Sequence, residues 1–402
     1  MEHRTDGAPV SDGPLAGLRV LELGQLLAGP WAGALLGYLG ADVVKVEPPG
    51  GDPIRRWRLL DEAGTAYWWR SMSRNKRCLS VDLRQPDGRD LVARLARRAD
   101  VLIENFRPGT MERWGLGPEV FAAEHPGLIY ARVSGYGQTG PYRDRPGYAS
   151  VAEAVGGLRH LTGHPGEPPV RANVSLGDTL AGLHTALGVL AALYERDGRG
   201  SGRGQTIDTA LYEAVFSALE GVVPEQAGGG VVRQPSGATI SGIVPSNAYR
   251  CAGGERVVIG ANGTSNFRRL MRAIGRDDLA DDPELELNPG RVRRQAELDA
   301  AIGEWTSARG AAEVVDALAD ASVPCGPVND AAAMADDPHF RARGQYEEVD
   351  GVVVPAIAPK LSRTPGRTRW PGRPIGADTD EVLSDLGLED ATIADLRARG
   401  VI

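Results

Sequence analysis

The chain has 402 residues, 42% of them hydrophobic and 24% charged, with a formal net charge of −8. These are globular proportions over a length that exceeds one ordinary core. There is no basic tail or Lys/Arg block, which argues against nucleic acid or an anionic membrane as the main partner and leaves a small anionic ligand open. Three scattered cysteines, Cys78, Cys251 and Cys325, make no C-x-x-C pair and no disulfide framework, so a reducing cytoplasm is expected. Residues 1–13 read as a loose polar leader without a signal-peptide core. No apolar run is read as long enough to cross a membrane.

The run from Leu18 to Leu23 is strand-like, and a turn punctuated by Gly24, Gly29 and Pro30 follows it. Trp31 to Leu39 is expected to be helical, with Gly40 as its stop. Ala41 to Glu47, with its Val-Val-Lys-Val pattern, reads as a second strand buried on both faces. This β-α-β opening predicts a parallel sheet. The alternation continues with a helix at Gly88–Arg98, a strand at Val101–Glu104, a helix at Pro118–His125 and a strand at Leu128–Val133. Tyr148–Leu158 is read as a helix and Asn173–Leu176 as a short extended segment. Leu180, Leu183, Leu187, Leu190 and Tyr194 recur at helical spacing, so Thr179–Arg196 is expected to be a helix. Gln205–Thr209 and Ala210–Leu219 complete the rhythm as strand and helix.

The composition then shifts. Ala227 to Gly242 is glycine-rich and reads as a loop. Beyond it a hairpin, Ala248–Cys251 with Arg256–Ile259, and helices at Phe267–Ile274, Gln295–Trp305 and Ala311–Ala321 describe a smaller α+β unit. The expected fold is α/β, a Rossmann-like doubly wound parallel sheet with a second α+β domain. The expected division is a leader at 1–13, a large domain at 14–220 and a linker at 221–242. A small domain at 243–328, a return linker at 329–352 and a C-terminal segment at 353–402 that packs back on the large domain complete it.

Several familiar chemistries find no motif. Gly24, Gly29 and Gly33 are spaced G-x4-G-x3-G, not the G-x-G-x-x-G that brings backbone onto a pyrophosphate. The six histidines make neither H-x-x-x-H nor H-E-x-x-H, so no metal site is expected. There is no G-x-S-x-G elbow. Each cysteine reads as a buried small hydrophobe.

What remains lies at strand ends. Glu104-Asn105-Phe106-Arg107-Pro108-Gly109 follows a strand and offers amide donors, a stacking face and a guanidinium, with Arg113 beyond. Arg55-Arg56, Asn75-Lys76-Arg77 and Arg84 add positive charge to the first quarter of an acidic chain, which suits a polyanionic small molecule. Ser134 to Pro141 is another glycine-rich strand-end loop. Asp178 stands where an N-cap belongs, and capping alone would explain it.

Taken in order, these segments resemble the family III CoA-transferases, which include formyl-CoA transferase, carnitine CoA-transferase and α-methylacyl-CoA racemase. The resemblance rests on Pro14 to Leu21, Gly40 to Glu47, Asn75-Lys76-Arg77, Glu104 to Gly109, Ser134 to Pro141, Gly177-Asp178 and Gly202-Arg203-Gly204-Gln205. It implies that Asp178 is the catalytic carboxylate, attacking an acyl-CoA thioester and passing through an aspartyl-CoA intermediate. It implies CoA contacts at Leu27, Ala28, Val81, Asp82, Leu83, Arg84, Asn105, Phe106, Arg113, Gly147 and Tyr148, with Arg107 added from its own chemistry. No cofactor is expected beyond the CoA thioester itself as substrate. The partners implied are an acyl-CoA, a carboxylic acid and a second copy of the chain in an interlaced homodimer.

Two departures narrow the reading. The formyl-CoA transferases carry an Arg after the acid that ends the second strand, and here Pro48 follows Glu47. The phosphate contact therefore falls to Arg55, Arg56 or Arg84. Gly228-Gly229-Gly230 does not match the glycine loop of those enzymes, while Pro245 to Tyr249 with Ile259 to Gly263 is similar to members that handle small dicarboxylates. A racemase would need a His to complement the Asp, and Tyr148 stands there; a phenol is a poor base at neutral pH. Racemisation and non-catalytic CoA binding stay as alternatives.

Overall fold

The computed structural model describes residues 13–402. All of the expected leader except Gly13 lies outside them. Contacts within the chain divide it into two units, one of residues up to Leu158, Ala172–Glu220 and Arg341–Ile402, the other of Arg159–Arg171 and Gly221–Phe340.

The first unit is built on a six-stranded sheet in the order β3-β2-β1-β4-β5-β6. Its strands are β1 (Arg19–Glu22), β2 (Asp42–Glu47), β3 (Lys76–Ser80), β4 (Val101–Glu104), β5 (Ile129–Ser134) and β6 (Thr206–Ala210), every neighbouring pair parallel. This is the doubly wound order, which reverses between β1 and β4. The period of two sorts the strand side chains between two cores. Leu21, Val44, Leu102 and Tyr130 join one, Val20, Val43, Val101, Ile103 and Ile129 the other.

The helices that connect the strands are α1 (Ala28–Tyr38), α2 (Tyr67–Met72), α3 (Pro86–Ala96), α4 (Thr110–Arg113) and α5 (Pro118–Glu124). After β5 come α6 (Ala149–Val155), α7 (Leu158–Leu161) and α8 (Leu176–Leu193), and after β6 comes α9 (Leu211–Phe216). Most expected elements are present within a few residues of their expected ends. Three expectations are corrected. The segment Asn173–Leu176 contains no strand, and α8 begins at Leu176, three residues before the periodic run was expected to start. Ala227–Gly242 is not wholly loop, because α10 (Val222–Gly229) runs into it and ends on Gly230 at φ 67°. Residues Leu176–Gly198 form one continuous helix of 23 residues, apolar and long enough to cross a membrane by those criteria. Ala181, Thr185, Ala186 and Val189 on it are buried, where α8 packs against α1 and the sheet.

β3 was not expected. Its opening residues looked like a charge patch, yet Lys76 is fully buried. Lys76 Nζ lies 2.8 Å from Glu22 Oε2, and Lys45 Nζ lies 3.0 Å from Glu22 Oε1 and 3.1 Å from Asp52 Oδ2. The four charges cancel inside the sheet, which is the condition for burying any of them. Burial works against the Glu22 carboxylate, but the two ammonium groups outweigh it and hold its pKa below the usual value.

The tail returns to the same unit. Val382, Leu383, Ile393 and Leu396, on helices Thr379–Asp385 and Asp390–Ala398, belong to the core that contains Leu21 and Leu102. Before it, a hairpin pairs β10 (Tyr346–Val349) with β11 (Val352–Pro355) around Asp350-Gly351, both at positive φ. The second unit has an antiparallel sheet of β7 (Ser246–Arg250), β8 (Arg256–Gly260) and β9 (Cys325–Pro327). Helices Thr264–Ala273, Gln295–Ser307 and Ala311–Asp320 cover it, with Phe267, Leu270, Leu298, Ile302 and Val314 in the core.

Gly33 shows how tightly the buried charges are packed. A Cβ there would lie 2.0 Å from Glu22 Oε2. Gly33→Ala is therefore expected to cost about 3 kcal/mol through overpacking. A urea titration followed by circular dichroism should show a lower midpoint, and an unchanged midpoint would contradict this packing.

Candidate active site

Every candidate residue but Asp178 follows the carboxyl end of a parallel strand, so the sheet brings their loops to one edge. In doubly wound sheets the crevice lies at that edge, where the strand order reverses. Here that point falls between β1 and β4, and Asn105 spans it. Its Oδ1 accepts the Gln25 N–H at 2.7 Å and its Nδ2 donates to the Gln25 carbonyl at 2.7 Å. Gly24 and Gly29 sit against the Asn105 side chain, where a Cβ would lie 3.2 Å and 3.5 Å from its nearest atoms. The glycine spacing of this turn thus accommodates a carboxamide. Asn105 ties the β1 turn to β4, and these two bonds occupy its oxygen and one of its N–H groups.

The same turn is held from the other side by Asp52. Its carboxylate accepts the N–H of Leu26 at 3.1 Å and of Ile54 at 3.1 Å. Leu26 has φ 63°, a conformation that costs a β- or γ-branched residue free energy and persists only when its surroundings hold it. Leu27 and Ala28 follow, both buried, at the start of α1.

Next to this turn opens a cleft of about 330 Å³ lined by Leu23, Gln25, Val46, Glu47, Pro48, Pro49, Gly50, Val81, Asp82, Leu83, Arg84, Phe106 and Trp114. It gathers five of the expected residues, Val81 to Arg84 and Phe106. Phe106 meets Trp114 edge-on at 5.1 Å between ring centres. Trp114 carried no signal in the sequence. Asp82 accepts from Arg84 Nε at 2.8 Å, and chiefly through this bond its pKa is held down to about 2. The Arg84 side chain is otherwise exposed.

The expected basic cluster is largely committed elsewhere. Arg55 is buried, bonds both Glu47 oxygens at 2.8 Å and stacks 3.5 Å from the Trp69 ring centre. Arg77 pairs with Asp42 and Asp385. Asn75 bonds the backbone of Gly37, Arg367 and Arg369. As ligand contacts, Arg55, Asn75, Lys76 and Arg77 are corrected to structural roles, each already satisfied by a protein partner. Arg56, Arg84, Arg107 and Arg113 keep exposed positions, Arg113 with a bond to Thr110 Oγ1 at 3.0 Å.

Asp178 is half-buried in the first turn of α8. The expectation that it is the N-cap is corrected: Ser175 holds that position without a side-chain cap, and Asp178 is the third helical residue. A carboxylate in a first turn still meets the positive end of the helix dipole. Its neighbour Gly177 is buried against α6, where a Cβ would lie 3.1 Å from the Ala149 carbonyl oxygen. Gly147 in turn contacts Gly135, a Cβ on either lying 2.9 Å from the other's Cα. Gly147 thus packs on the Ser134–Pro141 loop, Ala149 packs on the start of α8, and Tyr148 between them is 66% exposed. One turn along α8, a Cβ on Gly182 would lie 2.8 Å from the Ala28 carbonyl oxygen. The starts of α1 and α6 thus pack on the first two turns of α8, the segment that carries Asp178. The buried Glu153 of α6, unnoticed in the sequence, accepts the Gly177 N–H at 3.3 Å.

The cysteines do not offer a competing nucleophile. Burial pushes the Cys78 thiol up to about 12 and the Cys325 thiol up to about 11, and raises Cys251 likewise.

A family model for CoA-transferase family III matches residues 15–379. The chain is 44% identical to succinyl-CoA--D-citramalate CoA-transferase of Chloroflexus aurantiacus over 97% of this chain and 98% of that one. It is 34% identical to succinate--glutarate CoA-transferase of Agrobacterium fabrum over 93% of this chain and 96% of that one. A crystal structure of a CaiB/BaiF family protein from Brucella suis superposes with a TM-score of 0.83 at 33% identity, covering 93% of this chain and 99% of that chain. With the strand-edge site and this agreement along nearly the whole sequence, the chain belongs to CoA-transferase family III and is a CoA-transferase.

Proposed function

We propose that this enzyme moves CoA from an acyl-CoA donor to a small free dicarboxylic acid through a thioester on Asp178. The observation that carries the reading is the packing of α1 and α6 on the first two turns of α8, the segment that carries the half-buried Asp178, at the sheet edge that also holds the cleft. An Asp178 oxygen attacks the thioester carbonyl carbon, the C–S bond breaks, and CoA leaves as the thiolate with the bonding pair. The product is an anhydride between Asp178 and the donor acyl group. The thiolate attacks the Asp178 acyl carbon, freeing the donor acid as its carboxylate and leaving aspartyl-CoA. The acceptor carboxylate then attacks this thioester and expels the thiolate, which attacks the acceptor acyl carbon and restores Asp178. No net proton is taken up or lost, and each step is an acyl exchange the side chain makes easier by covalent division. Backbone N–H groups around the glycine contacts supply stabilisation of the tetrahedral oxyanions.

The CoA end is assigned to the cleft. Phe106, Trp114, Leu23 and Val81 form its apolar walls for the base. Exposed Arg84, Arg107 and Arg113 take the phosphates. The dicarboxylate preference extends to this chain what the names of its citramalate and glutarate relatives say of them. A homodimer is part of the same proposal. It is supported by exposed apolar side chains on α6 and α8, among them Val151, Val155, Leu183 and Leu187. A cytoplasmic location agrees with the three free cysteines.

Mass spectrometry of new thioesters, with a panel of acyl-CoAs and free acids, should reveal a transferred product. Asp178→Ala should lower kcat by on the order of 10³-fold or more. Full turnover in that variant, or deuterium exchange at Cα without transfer, would sink the mechanism. Arg84→Ala is expected to raise the acyl-CoA KM roughly tenfold and leave kcat near wild type. An unchanged KM in steady-state kinetics would remove Arg84 from the CoA contact.

A further inference from the structure

The first turn of α8 raises a question its own sequence does not answer. A helix begins with four backbone N–H groups that have no intrahelical partner. Ser175, at the N-cap, contributes no side-chain hydrogen bond. The N–H of Gly177, second in the helix, is instead taken by Glu153 Oε1 at 3.3 Å. Glu153 lies on a different helix and is only 2% exposed. Burying a carboxylate is costly unless something answers its charge, and the positive end of α8 does so in part.

The placement of Glu153 is tied to the site on both sides. Ala149 and Glu153 are four residues apart on α6 and so share a face. Both meet Gly177, one through close backbone contact and the other through the hydrogen bond. Gly177 directly precedes Asp178. Tyr148, the N-cap of α6, directly precedes Ala149. One short helix therefore fixes the first turn of α8 and carries the exposed tyrosine beside it.

We propose that Glu153 is a positioning residue for the nucleophile. By accepting the Gly177 N–H it sets the rotation of the first turn of α8 and so the direction in which Asp178 meets the thioester carbonyl. This rests on the reading of Asp178 as the nucleophile. Glu153 touches neither substrate nor reacting atoms. Its loss should slow attack without weakening acyl-CoA binding, because a misaimed nucleophile loses the near-attack geometry.

The test compares Glu153→Met, which keeps length and fills the buried space but accepts no hydrogen bond, with Glu153→Gln, which keeps an acceptor oxygen. Asp178→Ala runs alongside. Steady-state kinetics and the rate of appearance of the covalent CoA adduct, by intact-protein mass, are both read. Thermal melting and near-ultraviolet circular dichroism confirm a folded protein. Glu153→Met should lower kcat and the adduct rate about 10- to 30-fold while the acyl-CoA KM stays within about twofold, and Glu153→Gln should recover to within about threefold of wild type. Wild-type kcat in Glu153→Met overturns the proposal, as does a rise in KM with kcat unchanged, or a Gln variant no better than Met. If Asp178→Ala keeps its activity, the nucleophile assignment fails instead, and that outcome is separate from the Glu153 comparison.

Discussion

The site depends on four buried charges. Glu22, Lys45 and Lys76 of the sheet and Asp52 of the loop after β2 pair at salt-bridge distance, and the two lysines also bond main-chain oxygens, one in the β1 turn and one in the first turn of α1. Lys45 Nζ donates to the Gly24 carbonyl at 2.6 Å and Lys76 Nζ to the Pro30 carbonyl at 2.7 Å. Asp52 then accepts the N–H of Leu26. The turn from β1 to α1 is thus held from beneath by ions that no solvent reaches, which explains how Leu26 keeps a positive φ. Removing Glu22 would take the ion pair from buried Lys76, and removing Lys45 would take it from buried Asp52, each a far larger penalty than loss of a surface pair.

That turn and the glycines around Asp178 follow one logic. Three helices begin close together, and α8 meets the other two through residues without a Cβ, Gly182 against Ala28 and Gly177 against Ala149, while Gly147 against Gly135 brings together the loops before α6. Helix starts concentrate unpaired N–H groups and positive dipole ends. Bringing three together makes a region suited to developing negative charge, and small residues let the backbones come near enough to share it.

The parallel sheet was legible because its strands are buried on both faces and read as continuous apolar runs, as in Val43-Val44 and Val101-Leu102-Ile103. The exception, β3, opens with Lys-Arg, and no local pattern tells that Lys76 has a counter-ion 54 positions earlier in the chain. Blindness to partners that only the fold brings together made Arg77, paired with Asp42 and Asp385, and Arg55, paired with Glu47 across the loop after β2, look available. The β10–β11 hairpin did carry a local signal, Asp350-Gly351 between valines, the turn chemistry that favours two positive φ values. The start of α8 was misplaced because Asp178 reads as an N-cap, whereas Ser175 holds that position and the helix already runs through Gly177. The role of Gly177 is to let α6 approach, which only the packing reveals. Of the candidate site, the placement of its residues at strand ends was legible from the sequence, and Arg84 entered as a candidate through the resemblance. Trp114 and Glu153 were not, since neither stands in a motif and each acts through a contact with a segment elsewhere in the chain.

The commitment of so much basic charge to internal pairs also bears on how an anion reaches this protein. The chain carries a net charge of −8, and the guanidinium groups still facing solvent near the cleft are few. At physiological ionic strength, fields fade within about 8 Å. A polyanion approaching from afar therefore feels little of this charge, and attraction begins only within reach of Arg84 at the cleft. Encounter is left to unassisted diffusion, and recognition is confined to the last few ångströms, where the shape of the cleft can take part in it.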